Sequence, residues 1–592
     1  MPPLAAALGP PQVAESRHAM VVSRHPEASQ AGAEILGEGG NAIDAAVAVS
    51  MALAVVLPQA GNIGGGGFLL FRGHDGFTTA IDYRETAPAA AHRNLFLDAK
   101  GAVDTLRARM GPQSAGVPGT VAGLHLAWSK YGKLPWNRLL APAIDLAEKG
   151  FEVNEELSRS IDEDREKLMR FSAAAALLLQ NGHPLPPGRR IVQPDLARTL
   201  RAIAEQGPQA FYEGDIATAI EAEMRRGGGL ITRADLAAYR PLEREVLRGR
   251  YRDLEILSMP PPSSGGITLL QILGMAEGFD LEHAEPRLGQ PIHLLAEVMS
   301  RAFADRNHYL GDPGFVSIPV RGMLAPEYLA SRCRSISMDR ATPRRFVVRG
   351  NPWPFEVRLE KPQAAATDPS QDVFEAGSAG DSTATAPDSS AAPSPHQEPD
   401  QTTHVSIVDT EGNVVAMTTT LNGGFGSGVI VGGAGFLLNN EMDDFDARPG
   451  AANQFALVGG EANEIAPGKR MLSSMAPTIV LREGRPWLVL GARGGPRIIT
   501  AIAQVIVSVR DFGADLPAAV AAKRFHHQWL PDVILYEEGA ITEAAAQYLR
   551  RQGHELRQQP PNPSSLQCIE ITKEGLLRGV SDPRTQGAPV GF

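Results

Sequence analysis

The chain has 592 residues, of which 43% are hydrophobic and 21% are charged, so it can bury a sizeable core. Its formal charge of −11 argues against nucleic acid or an anionic membrane surface as the main partner. Cys333 and Cys568 are the only cysteines, which excludes a disulfide framework and a zinc site with CxxC spacing. One long-range disulfide stays open, but two unpaired thiols are the favoured interpretation.

The beginning of the chain lacks a recognisable targeting segment. Residues 1–12 have neither the charged start nor the leucine-rich core of a signal peptide, which favours a cytoplasmic protein or a trimmed chain. The most apolar run, 45–57, is too short to span a bilayer. Because it follows Asn41 and Asp44, which favour helix starts, we predict a buried helix and no membrane span.

The first half of the chain alternates helical patterns with glycine-rich bends. Residues 26–57 predict two helices broken near Gly37 to Gly40, and a glycine-dense bend follows at 61–67. Helical patterns then dominate 124–238. Residues 259–266 (MPPPSSGG) predict a turn-rich loop, because proline and glycine disfavour regular pairing. Another helix is predicted over 291–309.

The composition changes sharply at 361–401. This segment is rich in Ala, Ser, Pro, Asp and Thr, and it contains seven acidic residues but one lysine. Such a composition cannot offset by burial the entropy lost on ordering, so we predict a disordered linker. By composition alone, the linker is a spacer between domains.

Two hairpins are predicted after the linker. Runs 402–409 (TTHVSIVD) and 414–420 (VVAMTTT) flank a turn, and antiparallel pairing would place Thr402 close to Thr420 or Leu421. Runs 478–482 and 487–490 predict the second hairpin. A helix over 497–509 follows Gly494 and Gly495, and such strand pairs followed by helices suggest layered sheets covered by helices.

The common catalytic signatures are absent from the sequence. There is no GxSxG elbow, HExxH pair or P-loop. His526 and His527 are adjacent, so they cannot both face one metal from a regular element, and structural hydrogen bonding is favoured. The run 64–67 could cradle a phosphate, but a tight turn or close backbone packing is the stronger interpretation. We predict no metal and no cofactor.

Thr402 lies at the junction of the linker and a strand, where it could act as a nucleophile with its own α-amine as the base. If the peptide bond after Gln401 breaks, the threonine α-amine becomes a base beside its own hydroxyl. A free α-amine titrates near pH 8, so it can accept the hydroxyl proton near neutrality. The alternative is that Thr402 and Thr403 are ordinary strand residues chosen for β-propensity.

Several spaced motifs then indicate a family. The downstream set resembles the small subunit of γ-glutamyltransferases, which are N-terminal-nucleophile hydrolases: 402–404 (TTH), 420–422 (TLN), 439–445 (NNEMDDF), 472–475 (LSSM) and Gly494-Gly495. The upstream set resembles their large subunit: 61–68 (GNIGGGGF), 82–88 (DYRETAP), 117–119 (VPG) and 259–266. Similarity continues through 526–530 (HHQWL) and 581–584 (SDPR).

The resemblance implies a fold and an activity. We expect a four-layer αββα sandwich built from two subunits of one precursor, 1–401 and 402–592, which form a heterodimer after cleavage between Gln401 and Thr402. The implied reaction takes the γ-glutamyl group of glutathione or a related donor onto Thr402 as an ester. Water, an amino acid or a peptide then accepts the group. The family is commonly periplasmic or secreted, so the resemblance leaves the location of this chain open.

The resemblance also assigns roles to individual residues. Thr402 is similar to the nucleophile and Thr420 to its hydrogen-bonding threonine, while Gly494 and Gly495 resemble the oxyanion hole. The donor α-carboxylate would be held by Arg84, Ser473 and Ser474, and the α-ammonium by Asn422, Glu441 and Asp444. A solvated acidic loop is the alternative for the last two.

Two further segments are compared with the family pattern. Residues 449–459 resemble the family's lid loop, with Phe455 at its aromatic position. The long linker and Arg493, beside the expected oxyanion hole, depart from the pattern.

Two other functions remain open at this stage. One is a related acylase for glutaryl-type amides, although the carboxylates of Glu441 and Asp444 call for an ammonium on the ligand. The other is an uncleaved, inactive binding protein.

Overall fold

The structure is a computed structural model that describes residues 9–285, 288–356, 400–560 and 564–592. The predicted disordered linker, 361–401, lies outside the described residues except for its last two. For those two the prediction is wrong, because a strand begins at Asp400 and Gln401 is buried. Their polar composition favours a linker, but Gln401 is held by contacts with distant parts of the chain.

The described residues form two large sheets and three small ones. In chain order the strands are β1 Gln12–Ser16, β2 Met20–Ser23, β3 Gly66–Arg72, β4 Thr78–Asp82, β5 Phe151–Glu152, β6 Leu179–Gln180, β7 His183–Pro184, β8 Arg190–Ile191, β9 Leu242–Arg244, β10 Leu247–Tyr251, β11 Leu254–Ser258, β12 Asp400–Val408, β13 Val414–Gly423, β14 Thr478–Arg482, β15 Arg485–Ala492, β16 Phe525–His526, β17 Ile534–Glu537, β18 Leu556–Gln559, β19 Leu566–Ile571, β20 Leu577–Ser581 and β21 Ala588–Gly591.

Helices lie between these strands in the chain. In chain order they are α1 Pro26–Gly37, α2 Ala42–Val56, α3 Thr105–Arg109, α4 Thr120–Tyr131, α5 Trp136–Lys149, α6 Glu155–Glu163, α7 Arg165–Leu168, α8 Ser172–Leu178, α9 Pro194–Gln206, α10 Pro208–Tyr212, α11 Asp215–Gly227, α12 Arg233–Ala238, α13 Gly265–Ala276, α14 Gly289–Tyr309, α15 Val320–Leu324, α16 Pro326–Cys333, α17 Arg497–Arg510, α18 Leu516–Ala521 and α19 Glu543–Gln552. No helix of the described ranges is both long enough and apolar enough to cross a bilayer.

Each large sheet has seven antiparallel strands. The β12 sheet has the order β21-β2-β12-β13-β3-β4-β9, and the β15 sheet has the order β1-β20-β19-β15-β14-β11-β10. Both predicted hairpins are present, as β12–β13 and β14–β15, although β15 is longer than predicted at both ends.

The alternation of side chains along the strands produces the layers. On one face of the β12 sheet, Val405, Ile407 and Met417 pack in a core that includes helices α1 and α2. On the other face, Phe68 and Ala416 share a second core with the β15 sheet and helices α13, α14 and α17. The helix, sheet, sheet and helix layers confirm the predicted αββα sandwich.

The apolar run near the N-terminus forms the predicted buried helix. Asn41 caps α2, since its side chain accepts hydrogen bonds from the N–H groups of Ile43 and Asp44, and the Asp44 carboxylate accepts a bond from the Asn41 N–H. Every residue of α2 is buried, which explains why the helix is apolar all round.

Glycines allow β3 to approach β13 closely. A Cβ on Gly65 would lie 2.1 Å from the carbonyl oxygen of Thr420, and one on Gly67 would lie 2.3 Å from that of Thr418. The predicted close backbone packing at 64–67 is therefore confirmed, and it fixes β13 beside β3. Both cysteines are also free, as predicted.

Candidate active site

Thr402 lies directly opposite Thr420 in the β12–β13 ladder. Their hydroxyl oxygens are 3.2 Å apart, and both side chains are buried. The hairpin register predicted from the sequence is therefore confirmed. The register shifts between Asp400 and Thr402, so the ladder is irregular at the bond that precedes Thr402.

The hydroxyl of Thr420 is oriented by the backbone beyond it. The N–H of Asn422 donates to the Thr420 oxygen over 2.8 Å. Because the Thr420 oxygen is the acceptor in this bond, its own proton can still be donated to Thr402. Asn422 has φ of +78°, and its side chain donates to the carbonyl of Asn440 over 3.1 Å.

His404 is the nearest histidine along β12, but it does not face Thr402. Its ring nitrogens lie 2.8 Å from the Thr418 hydroxyl and 3.2 Å from the Ser406 hydroxyl. Burial lowers the pKa of His404 to about 3, so the ring is neutral near neutral pH. This histidine is a structural group between the two sheets.

Gly494 and Gly495 form the bend between β15 and α17. Their φ values of +123° and +54° favour glycine, and a Cβ on Gly495 would lie 2.8 Å from the Phe455 ring. Their carbonyls accept the first hydrogen bonds of α17, from Arg497 and Ile498. Within the described part of the chain, neither glycine N–H donates to a protein acceptor.

Arg84 brings together the charged residues that the resemblance assigned to substrate binding. Its two terminal nitrogens each lie 2.5 Å from a carboxylate oxygen, one of Glu441 and one of Asp444. Glu85 is a third carboxylate, 3.5 Å from Arg84. The Glu441 side chain is fully buried, so the alternative of a solvated acidic loop is wrong.

The cluster around Arg84 contains more acidic side chains than basic ones. Burial raises the pKa of Glu441, and the neighbouring carboxylates of Glu85 and Asp444 raise it further, although Arg84 opposes the shift. Burial also raises the pKa of Asp444, again against the effect of Arg84. A ligand ammonium would stabilise the ionised form of both groups.

Ser473 and Ser474, to which the resemblance assigned the donor carboxylate, follow Met471, whose carbonyl accepts a hydrogen bond from Nε of Arg84 over 3.2 Å. The loop 259–266 holds Ser473 through backbone bonds, since Ser473 N–H donates to Pro262 and Ser264 N–H donates to Ser473. The loop is confirmed up to Ser264. Gly265 and Gly266 instead open α13, where a Cβ on either would lie within 2.7 Å of a backbone oxygen.

A buried arginine from α14 was not predicted. Arg306 donates to the Ser474 hydroxyl over 3.1 Å and to the Ser264 hydroxyl over 2.9 Å. Burial lowers the pKa of Arg306 to about 10, while Asp446 and Asp444 oppose the shift. The sequence gives no signal that singles it out, because α14 also contains the buried charged residues Glu297, Arg301 and Asp305.

The predicted lid segment, 449–459, lies over the pocket. Asn453 accepts the N–H groups of Phe455 and Leu457, which closes a tight loop at its tip. The amide of Gln528 donates to the Phe455 carbonyl over 3.0 Å. This loop places the Phe455 ring against Gly495.

One pocket collects these groups, which we call the Thr402 pocket. Its empty volume, including the mouth, is about 520 Å³. Nine of the ten predicted catalytic and binding residues line it: Arg84, Thr402, Thr420, Asn422, Glu441, Asp444, Ser473, Ser474 and Gly495. Gly494 is outside the lining. The predicted lid segment contributes Asn453, Phe455, Leu457 and Gly459 to the lining, and the lining residues without a predicted role are Arg306, Asn307, Asp446, Asn463, Leu472, Met475 and Ile498.

The adjacent pair His526 and His527 is engaged in hydrogen bonds. His526 contacts Thr500 and Gln528 over 2.8 Å each, and the His527 ring accepts the N–H of Trp529. Among the described residues, one group could hold a metal ion: His293, Glu297 and His554. Nδ1 of His293 and Nε2 of His554 are 2.7 Å apart, and Glu297 is paired with Arg301. We therefore assign these groups a structural role.

Several known proteins are similar to this chain in sequence and in structure. Residues 28–592 match the profile of the Gamma-glutamyltranspeptidase family. The "Glutathione hydrolase proenzyme" of Escherichia coli strain K12 is 43% identical over 571 residues, which cover 96% of this chain and 91% of that protein.

Two solved structures are also similar. The cephalosporin acylase from Bacillus halodurans has a TM-score of 0.81 and 26% identity, covering 100% of this chain and 99% of that one. The γ-glutamyltranspeptidase of Helicobacter pylori has a TM-score of 0.53 and 43% identity, covering 54% of this chain and 92% of that one. These comparisons confirm the predicted fold and enzyme class. The chain belongs to the γ-glutamyltranspeptidase family of N-terminal-nucleophile hydrolases.

Proposed function

We propose that this chain is a self-cleaving γ-glutamyltransferase and glutathione hydrolase whose nucleophile is Thr402. The observation that carries the proposal is the position of the Thr402 hydroxyl, 3.2 Å from Thr420 in a pocket that also holds Arg84, Glu441 and Asp444. A nucleophile, a proton partner and paired charges for an amino acid thus share one cavity.

Maturation is an acyl shift followed by hydrolysis. The Thr402 hydroxyl oxygen bonds to the carbonyl carbon of Gln401, the C–N bond breaks, and the hydroxyl proton ends on the new α-amine. Water then cleaves the ester, which gives Gln401 a carboxylate and returns the hydroxyl to Thr402. The products are two subunits, 1–401 and 402–592, that remain together as a heterodimer.

Turnover uses the freed amine as the base. It takes the Thr402 proton as the oxygen attacks the γ-amide, and it returns a proton to the leaving amine. The unengaged N–H groups of Gly494 and Gly495 fit a role as donors to the oxyanion. Water, an amino acid or a peptide amine then attacks the γ-glutamyl ester.

The charged residues would select the donor. Its α-ammonium would lie between Glu441 and Asp444, and its α-carboxylate would bind near Arg84, Ser473 and Ser474. Both terminal nitrogens of Arg84 already contact carboxylates, so the donor carboxylate must share or replace one of these contacts. Arg306, which already reaches Ser474, adds a second cation on that side.

Purified protein tests the proposal directly. Apportioning 63.1 kDa by residue count predicts two pieces of roughly 43 and 20 kDa. The smaller piece should begin at Thr402, and Thr402→Ala should remain full length and inactive. Wild-type protein that stays intact yet turns over a γ-glutamyl anilide would contradict the mechanism.

A glutaryl amide acylase is the second candidate, because the Bacillus halodurans structure that matches the whole chain is called a cephalosporin acylase. A glutaryl group has the same length but no ammonium. The excess of carboxylates around Arg84 therefore favours the γ-glutamyl donor. Comparing kcat/KM for γ-glutamyl and glutaryl anilides separates the two, and a preference for the glutaryl compound would reverse the assignment.

A further inference from the structure

Gln401, the residue that precedes the nucleophile, is anchored by its side chain. The amide oxygen accepts a hydrogen bond from Nη1 of Arg24 over 2.9 Å and another from Nη1 of Arg493 over 3.3 Å. Gln401 is 2% exposed, so these bonds form away from bulk water. Charge-assisted bonds of this kind are stronger than bonds between neutral groups.

Each arginine is fixed by other contacts. Arg24 follows β2, and its Nε donates to Glu156 over 2.9 Å. Burial raises the pKa of Glu156, but Arg24 and Arg493 more than offset this, so the pKa is lowered and the carboxylate is ionised. Arg493 follows β15, and its Nε donates to the Ser565 hydroxyl over 3.1 Å. One arginine therefore extends from each large sheet.

The backbone ladder does not supply the same support. The β12–β13 pairing joins Asp400 to Gly423 and Thr402 to Thr420, and Gln401 has no partner between them. The peptide bond between Gln401 and Thr402 therefore lies at an irregularity, where the hydrogen bonds of the ladder do not fix the orientation of that bond. Arg24 also reaches the carbonyl of Thr402 over 3.4 Å, so it contacts the residues on both sides of that bond.

We propose that Arg24 and Arg493 are positioning residues for self-cleavage, acting through the amide oxygen of Gln401. This inference rests on the proposed self-cleavage before Thr402. Holding the Gln401 side chain and the Thr402 carbonyl fixes the peptide plane between them relative to the attacking hydroxyl. Orientation of this kind contributes strongly to intramolecular reactions. The residue before the nucleophile must then offer an acceptor to two guanidinium groups.

Freshly translated precursor provides the measurement. Cell-free synthesis followed by a chase gives the rate at which full-length protein converts to two fragments. Arg24→Met and Gln401→Leu should each slow this rate on the order of tenfold or more, because each removes a charge-assisted bond. Gln401→Glu should keep a rate near that of the wild type, because a carboxylate also accepts from both arginines.

The matched control is Arg301→Met. Arg301 and Glu297 are as buried as Arg24 and Glu156, with side chains 2% and 4% exposed against 2% and 5%, but they lie outside the Thr402 pocket. This control should lower the melting temperature without slowing cleavage of the folded precursor. Equal slowing by Arg301→Met would overturn the inference, since general destabilisation would then explain the effect.

A double-mutant cycle separates positioning from structural support. If Arg24 acts through Gln401, adding Arg24→Met to Gln401→Leu should slow cleavage little further. Independent, multiplying effects would overturn the inference, as would single variants that cleave at the wild-type rate. Gln401→Leu keeps both arginines, so it tests the idea even if Arg24→Met does not fold. Wild-type protein that is never cut before Thr402 would instead contradict the proposed function itself.

Discussion

The Thr402 pocket has two walls of opposite character. The neutral wall consists of Thr402, Thr420 and Asn422 from one hairpin, and its contacts are hydroxyl and amide hydrogen bonds. The charged wall consists of Arg84, Glu441 and Asp444, from segments far apart in the chain. We expect the neutral wall to serve both maturation and turnover, and the charged wall to serve donor binding alone.

Loss of the Thr420 hydroxyl should have the largest effect. Thr420→Val keeps the shape of the side chain but removes the proton partner of Thr402. Self-cleavage should slow, and kcat/KM of the mature enzyme should fall by about 100-fold. Cleavage rates and steady-state kinetics with a γ-glutamyl anilide measure both, and a variant that matures and turns over normally would exclude a role for Thr420.

The charged wall should respond differently. Arg84→Lys keeps a positive charge but cannot contact Glu441 and Asp444 with separate nitrogens, so KM should rise by an amount worth roughly 1–3 kcal/mol. The Arg84→Lys precursor should still be cleaved before Thr402, because no substrate takes part in that reaction. Arg301→Lys, a buried arginine outside the pocket, should leave KM unchanged. An uncleaved Arg84→Lys precursor would show that the two walls are not separable.

Asp444→Asn tests the same difference between the two walls at an acidic residue of the charged wall. The variant should weaken donor binding by removing an anion that faces the donor ammonium, while leaving maturation intact. Its KM for a glutaryl anilide, which has no ammonium, should rise less than its KM for a γ-glutamyl anilide. Equal changes for both compounds would mean that Asp444 does not recognise the ammonium.

Protonation of Asp446, a pocket residue, should make the stability of the fold depend on pH. Burial raises its pKa from 3.8 to about 7, although Arg306 opposes the shift. Between these values the unfolded chain releases the proton and the folded chain keeps it, so stability should fall as the pH rises towards 7. In the single-chain Thr402→Ala background, Asp446→Asn should reduce the loss of melting temperature between about pH 5 and about pH 8. An unchanged pH dependence would exclude this group as its source.

Thr403→Val should have the smallest effect. Thr403 lies next to the nucleophile, but its hydroxyl is buried and has no hydrogen-bond partner among the described residues. Removing an unsatisfied hydroxyl should leave cleavage and turnover near wild type and raise stability by about 1 kcal/mol or less. A loss of activity comparable to that of Thr420→Val would show that the neighbourhood of Thr402 tolerates no change.

The two walls also differ in how far the sequence predicts them. Thr402 and Thr420 lie in one hairpin, so turn position and β-propensity alone predict their pairing. Arg84 and Asp444 are separated by 360 residues, and only the family resemblance predicts that they lie together. Local patterns do not encode contacts of that range.

The residues that the sequence did not predict also depend on contacts between distant parts of the chain. Arg306 becomes a pocket residue only because α14 packs beside Ser264 and Ser474. Gln401 belongs to a segment with the composition of a linker, yet it is buried and its side chain accepts a hydrogen bond from Arg24, which is 377 residues away. In both cases the polar residue has a partner that no sequence window contains.

The strand order of the two sheets has a consequence for the cleaved enzyme. Among the described residues, strands that precede Thr402 pair directly with strands that follow it in five places: β1 with β20, β11 with β14, β21 with β2, β2 with β12, and β13 with β3. Separating the two polypeptides would require breaking all five backbone ladders and opening both cores. Dissociation would therefore amount to unfolding, and dilution should not release a free subunit. Differently labelled enzymes, once mature, should not exchange subunits on mixing.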